Sequence, residues 1–510
     1  MSNAHQLMLI GLDAADSVLI DGWIQSGSLP NLAWLRNSGT SGRLDTSAKY
    51  LAGSPWPTFY TGQLPCQHGV YESFQWRHEK LDYAIPTYDW IPITPFWRHL
   101  DKDLAVITYD VPMVQGCQAA KGIEICGWAG HDNLVPPEVH PAALLAEIKS
   151  RFGTWRMVRE TFGPSSFDRL LSLKQNLLEN IKRSTELSMW LLKRPWDVAV
   201  IVFGALHRGG HRLWDRTSLN ETISEKEGNI FDQSLKDLYI ACDNAVGQLI
   251  AAAPEAAIIV FSLHGMMKNS APIDLLDNML ARVVSNKYDS LAKPSLLQWL
   301  GEASPNAWRG YIAQHMPDRY RNRLMTIWRT GGVDWKNTSA FPLRADLQGY
   351  IRINMQGREL KGIVPPGTLS DALCVRISSG LKSFRNSLNG KAIIEEVCRT
   401  DEVFGMGPRS DRLPDLIVCW KDTPSDGHSR IESESYGCIQ RKTPHIPNGR
   451  SGSHRPEGFF IACGRGIPAG VQLQKKAHIV DLAPTILRYL GTQTSRPLSG
   501  KFISELTDQE

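Results

Sequence analysis

The stretch "DVAVIVFGALHRGGHRLWD", Asp197 to Asp215, changes character at Gly204. Before that glycine the residues are continuously apolar and mostly β-branched; after it come two histidines, His207 and His211. An unbroken apolar run of this length reads as a strand covered on both faces, because a half-exposed strand would alternate. Two other stretches share the design: "LMLIGLDA" from Leu7 and "AAIIVFSLHG" from Ala256, each passing through Gly or Ser to a polar side chain. Helical patterns lie between them, as in "PNLAWLRNSG" and "DQSLKDLYIACDNAVGQLIAAAP". Strands alternating with helices predict a parallel α/β sheet, in which ligands gather outside the carboxyl ends of the strands. Asp13, His207 and His264 stand at that end.

A chain of 510 residues has ample length for a large core. Its 56 Lys and Arg residues against 52 Asp and Glu leave a formal charge of only +4, without a basic run that could track a phosphate backbone. No nucleic-acid polymer is expected as a partner. The nine cysteines are scattered and form no CxxC pair, which reads as reduced thiols in a cytoplasmic protein. The early run "LMLIGL" is too short for a secretory core, and no apolar run nears the roughly 20 residues that span a bilayer. The expectation is a cytoplasmic chain with no membrane span.

The pattern divides the chain into a first part of an α/β core (1–135), a helical insertion (136–194) and a continuation carrying the histidine strands (195–268). A Trp-rich cap insertion (269–344) and a completion of the core (345–510) follow. Both insertions are expected to cap the site. The last third returns to strands in "LQGYIRINMQG", "PDLIVCW" and "EGFFIACG" and closes on a helix in "VDLAPTILRYLG".

His207 and His211 are four residues apart, so one helical turn would put both imidazoles on one face, able to share a divalent ion. By itself the pair is weak, since Gly209 and Gly210 argue against a helix and favour two surface histidines on a loop. Recurrence raises its weight. His264 follows a buried strand, His454 precedes one in "GSHRPEGFFIACG", and Asp13 ends the first strand. Imidazoles and a carboxylate gathering on one face predict a zinc-type site with hydrolytic chemistry. In "LAGSPWPTFYTGQLPCQHGVYE", Leu51 to Glu72, a Gly-Ser-Pro turn would present Ser54 at a helix N-terminus, as a nucleophile on an anionic phosphoryl group. A plain N-cap is the competing reading of Ser54. His68 in "QHGV" reads as structural, and Arg352 and Arg358 in "YIRINMQGRE" as strand anchors through salt bridges. Arg455 could contact an anion or simply be solvated.

These pieces together resemble the alkaline phosphatase superfamily, and within it the type I phosphodiesterase and nucleotide pyrophosphatase branch. They occur in family order: "GLDAAD", "PTFYTGQLPCQHGVYE", "HRGGHRLWD", "SLHGM", "GSHRPEGFFIACG" and "DLAPTILRYLG". The resemblance implies a three-layer α/β sandwich with a mostly parallel central sheet, plus helical and irregular cap insertions. It implies two metal ions, usually zinc, with manganese as an alternative, and a Ser or Thr nucleophile that forms a covalent phospho-enzyme. By position, His207, His211 and His454 would hold one ion, and Asp13 with His264 the other. The substrate would be a small-molecule phosphate or sulfate ester.

Three positions depart from the family pattern. His207 stands where an aspartate is usual, and Leu263 stands where a further aspartate would ligate the second ion. Nine residues before Thr61, where the nucleophile is usual, stands Ala52. Ser54 and Thr58 are the neighbouring hydroxyls, with Ser54 preferred. One carboxylate, Asp13, would then face two dications, so a single ion activating water is the simplest fallback. The function so implied is metal-dependent hydrolysis of phosphodiester or phosphomonoester bonds. Its alternatives are an impaired relative that binds an anionic ligand or a protein partner, and a phosphoryl or sulfuryl transferase to an alcohol.

Overall fold

The computed structural model describes residues 6–87, 90–100, 103–117, 121–129, 137–155, 163–285, 333–343, 345, 347–421, 430–441, 448–492 and 496–506. At its centre lies the strand Leu7–Leu12, paired in parallel with Val198–Phe203 on one side and Ala257–Ser262 on the other. All three are buried along their whole length, as their unbroken apolar runs predict. Alternate residues serve opposite faces: Met8, Ile10 and Leu12 pack into one core layer, Leu7 and Leu9 into the other. Val106–Tyr109 and Gly122–Cys126 extend the parallel part, and Gly458–Cys463 joins Ala257–Ser262 antiparallel, within a sheet of ten strands.

Helices cover both faces, which makes the predicted three-layer sandwich. On one face lie Pro30–Ser38, Phe167–Leu191 and Glu225–Ala252; on the other lie Pro55–Thr61 and Leu482–Tyr489. Two expectations change here. The helical segment within 136–194 is not a cap over the site: Leu170, Leu177, Ile181 and Leu187 of its long helix sit in the main core beside Leu235 and Leu238. Its apolar stripe is matched to a neighbouring helix, and burying that stripe decides where it lies.

The stretch from 345 also divides. Gly349–Ile353 and Leu416–Trp420 do not complete the central sheet; with Ala340–Leu343 and Ile394–Arg399 they make a separate four-stranded antiparallel sheet, order 340–343, 349–353, 416–420, 394–399. This satellite has its own core, including Met279, Ile351, Ile377 and Val418. Only the chain beyond about residue 458 returns to the central sheet. Apolar runs of five residues cannot say which of two sheets they join. The satellite is tied to the main unit by the Gln348 amide, which donates to the Ala48 and Lys49 carbonyls (2.8 Å each). Ala52 N also donates to the Tyr350 hydroxyl (3.0 Å). The Trp-rich part of 269–344 lies mostly outside the described residues. Among the described residues, no helix is long and apolar enough to cross a membrane.

Arg352 and Arg358 are the strand anchors the sequence predicts. Arg352 is fully buried and pairs with the equally buried Glu359 (2.7 Å), while Arg358 holds Asp415 (2.7 Å).

Candidate active site

The paired glycines do not prevent a helix. Ala205–Leu213 is helical because its neighbours need that surface bare: a Cβ on Gly209 would lie 2.3 Å from Leu238 Cδ1, and one on Gly210 2.8 Å from Met266 Cγ. The propensity cost of about 1 kcal/mol per glycine is outweighed by close packing on the helix Glu225–Ala252 and the strand Gly265–Lys268. With the helix formed, His207 and His211 share a face, and their Nε2 atoms are 3.0 Å apart.

His454 arrives from the other side. It lies within a short strand, Gly452–Arg455, pairing antiparallel with Gly265–Lys268 so that His454 faces Met266 across the ribbon. Its Nε2 is 2.9 Å from His207 Nε2. His264 precedes the same ribbon, its ring centroid 4.4 Å from that of His454 and 5.6 Å from that of His207. The four histidines and Asp13 thus gather at the carboxyl end of the sheet: donor atoms of His207, His264 and His454 lie within 4.8 Å of one another, and His211 Nε2 is 3.0 Å from His207 Nε2.

The backbone fixes what those nitrogens carry. His211 Nδ1 faces the Gly452 carbonyl at 2.9 Å, and a carbonyl only accepts, so Nδ1 holds the proton and Nε2 the lone pair. His207 Nδ1 lies 2.8 Å from Asp13 Oδ2, and a carboxylate only accepts, so Nδ1 of His207 carries a proton. Ligand nitrogens around a tetrahedral zinc would be about 3.3 Å apart, from bond lengths of about 2.0–2.1 Å. His207 Nε2, 3.0 Å from His211 Nε2 and 2.9 Å from His454 Nε2, is near that spacing, and His264 adds a further donor to the cluster. Burial, with help from the Arg450 charge, holds His211 well below the ordinary histidine range; burial, His264 and His207 do the same for His454. Both are thus neutral imidazoles, the form in which a histidine can ligate a metal.

Both Asp13 oxygens have partners. Oδ2 takes the His207 proton, and Oδ1 accepts the Trp56 indole N–H at 2.8 Å while standing 3.9 Å from His264 Nε2. Its neighbour Ala14 has φ of 57°, a left-handed conformation that turns the chain sharply after the strand. Asp16 caps the next helix through Val18 N and Leu19 N and accepts from Arg455 Nε at 2.8 Å, which ties the half-exposed Arg455 to the turn after the first strand. Leu263 points into the opposite core layer with Phe261 and Trp56.

Ser54 and Thr58 are wholly buried. Ser54 Oγ donates within a tight cluster, to Ser47 Oγ or Leu51 O (2.7 Å each), and does not cap the helix Pro55–Thr61. Thr58 Oγ1 lies 3.1 Å from His68 Nε2 and 3.3 Å from Ser47 Oγ. His68 accepts the Val70 N–H at Nδ1, so Nε2 donates to Thr58, and the histidine is structural as read. Burial pushes its pKa down to about 3. As pH falls below about 6.5 the unfolded chain takes up this proton and the folded one does not, so stability present above 6.5 is lost down to about 3. We expect urea stability to decline through that window, with one such proton worth about 1.4 kcal/mol per pH unit at most. The H68Q variant should show a shallower decline; an unchanged slope would contradict this.

Sequence reasoning missed Trp56 and the Gly452 carbonyl as orienting groups. A buried indole N–H needs an acceptor, which was a readable signal in "SPWPTF". A backbone carbonyl leaves none. Gly452 itself is required, since a Cβ there would meet Gly210 O at 2.0 Å.

A mostly parallel sheet with helices on both faces and functional side chains at its carboxyl edge is the alkaline-phosphatase-like class of fold. Within that class the chain belongs to the type I phosphodiesterase/nucleotide pyrophosphatase family, whose model matches residues 7–418, and so to a family of phosphoester hydrolases. Murine ectonucleotide pyrophosphatase/phosphodiesterase 5 is similar in structure at TM-score 0.51 and 11% identity, over 99% of this chain and 100% of that one. An inactive variant of that protein in complex with AMP matches with the same figures. Phosphonoacetate hydrolase from Sinorhizobium meliloti, in complex with phosphonoformate, matches at TM-score 0.51 and 12% identity over 96% of each chain. No curated protein matches in sequence.

Proposed function

We propose that the chain hydrolyses a small phosphate ester or related phosphoryl compound with one divalent cation, held by His207, His211 and His454. The observation that carries this reading is the cluster of imidazoles around His207, whose Nε2 lies 3.0 Å from His211 Nε2 and 2.9 Å from His454 Nε2. Such an ion, zinc or manganese, would lower the pKa of a water and withdraw charge from a phosphoryl oxygen. The protein's own part is orientation. Asp13 holds the His207 ring and keeps its proton on Nδ1, Gly452 does the same for His211, and Trp56 holds Asp13. Arg450, whose charge reaches both His211 and His454, favours an anionic substrate. The molecules bound in two of the similar structures, AMP and phosphonoformate, are of that anionic kind.

Water rather than a side chain is the nucleophile in this reading. Ala52 has no hydroxyl, and the Ser54 and Thr58 hydroxyls are buried in a cluster of their own. Transfer through a covalent phospho-enzyme is correspondingly less supported than hydrolysis. The test is turnover of an aryl phosphodiester and an aryl phosphomonoester by the whole chain with zinc or manganese, after chelation and reloading. We expect S54A to keep turnover within about threefold of the parent. Loss of turnover in a folded S54A protein would restore Ser54 as the nucleophile. Absence of metal-dependent turnover on either ester class would favour the impaired, ligand-binding reading, for which Ala52 and Leu263 speak.

Asp13→Asn tests the orienting role. An outer carboxylate that fixes a histidine ligand is typically worth 10–100-fold in metal affinity, so we expect D13N to weaken binding by about that factor. An unchanged affinity would show that Asp13 does not act through His207.

A further inference from the structure

Cys126 closes the parallel strand Gly122–Cys126, and Cys117 lies in the loop that leads into that strand from Val106–Tyr109. Their sulfurs are 3.6 Å apart. A disulfide needs about 2.0 Å between sulfurs, so closure asks for a shift of about 1.6 Å, within reach of a side-chain rotation and a small movement of the loop. The two partners are unequally placed. Cys126 is buried at 2% exposure in the sheet, whereas Cys117 is partly exposed and follows Gly116, whose φ of 66° turns the loop.

We propose that Cys117 and Cys126 form a reversible redox pair, oxidised to an internal disulfide by exchange with a small-molecule disulfide. The partly exposed Cys117, as thiolate, attacks one sulfur of the small disulfide, and one small thiol leaves with the electron pair of the broken S–S bond. Cys126 gives up its proton and attacks the Cys117 sulfur, expelling the second small thiol. In sum, two protein thiols and one small disulfide become one protein disulfide and two small thiols, with two electrons passing to the small molecule. The Cys126 thiol is held well above the ordinary range, first by its contact with Cys117 and then by burial, and Cys117 is the more exposed of the two, so an incoming disulfide reaches Cys117 first. The pairing is local: the bridge would close only the short stretch from 117 to 126 and leave the central strands in place. A second thiol pair, Cys398 and Cys419, is less well placed; its sulfurs share a cluster with Glu396, where the donor atoms lie within 4.8 Å of one another.

The test is to incubate the full, reduced chain with oxidised glutathione, quench with acid, and map peptides without reduction. We expect the peptide pair joined through Cys117 and Cys126 as the main cross-link, reversed by dithiothreitol. In C117S the cross-link should vanish, with Cys126 left as a free thiol. Glutathione retained on Cys117 without conversion to the internal bridge would overturn the proposal. So would a Cys398–Cys419 cross-link forming first. The mapping of the parent chain does not depend on any variant folding.

Discussion

His211→Ala should abolish bound metal and metal-dependent turnover together. Removing an outer, orienting partner typically costs 10–100-fold in metal affinity, so removing one of three converging ligands should cost more than about 100-fold. The remaining Nε2 atoms of His207 and His454 cannot fill three positions around the ion, and the alanine leaves the Gly452 carbonyl without its N–H donor. The fold should survive, because the helix Ala205–Leu213 is held by Leu206, Leu213 and the close approach of Gly209 and Gly210 to their neighbours. Metal content by mass spectrometry, circular dichroism and ester turnover on the same sample separate the two effects. An H211A protein that keeps its ion and its turnover would remove the trio from the site.

Glu359→Ala should be the most destabilising change outside the site. Glu359 is fully buried and receives Arg352 Nε at 2.7 Å, Arg358 Nε at 3.1 Å and the Trp76 indole N–H at 2.9 Å. Deleting it leaves the buried Arg352 guanidinium without its counter-charge, although the Leu413 and Asp411 carbonyls still accept from it. Breaking a buried ion pair from one side costs about 3–5 kcal/mol, because the stranded charge cannot return to water. The loss should reach the turn beside the site, since Tyr350 and Gln348 of the same strand region hold Ala52, Ala48 and Lys49. Urea unfolding reads it directly. A loss below about 1 kcal/mol would mean that Arg352 finds water or another partner. The paired change R352M with E359L should cost less than E359A alone, because it removes both charges.

The central sheet was legible because its strands carry continuous apolar runs, and each run ends where a chemistry-bearing residue begins. Asp13, His207 and His264 could be placed at one edge from that pattern alone, and the structure brings all of them there with His211 and His454. Less legible was anything decided by contact between distant segments. The Gly209–Gly210 pair looked like a helix breaker until Leu238 and Met266 were seen against it. The strands at 349–353 and 416–420 looked like core until their partners were known. The satellite's membership is a matter of pairing, and pairing is not written into a five-residue run. Asp13 shows the same limit at the scale of one side chain. Its position at a strand end was readable, but its two oxygens are turned to Trp56 and His207 by packing from segments some 43 and 194 residues away.

The loss of the second carboxylate position is therefore structural as well as chemical. Leu263 is part of an apolar layer with Phe261, Trp56 and Phe59, and Trp56 in turn occupies the Asp13 oxygen nearest His264. That oxygen accepts the Trp56 indole N–H and stands 3.9 Å from His264 Nε2.

The most direct measurement is the metal stoichiometry of the whole chain, purified without chelator, equilibrated with zinc and freed of excess. One ion per chain, lost in H211A and weakened in D13N, is the predicted result. Two ions per chain would contradict the assignment of Asp13 as an orienting group, and none at all would contradict the site.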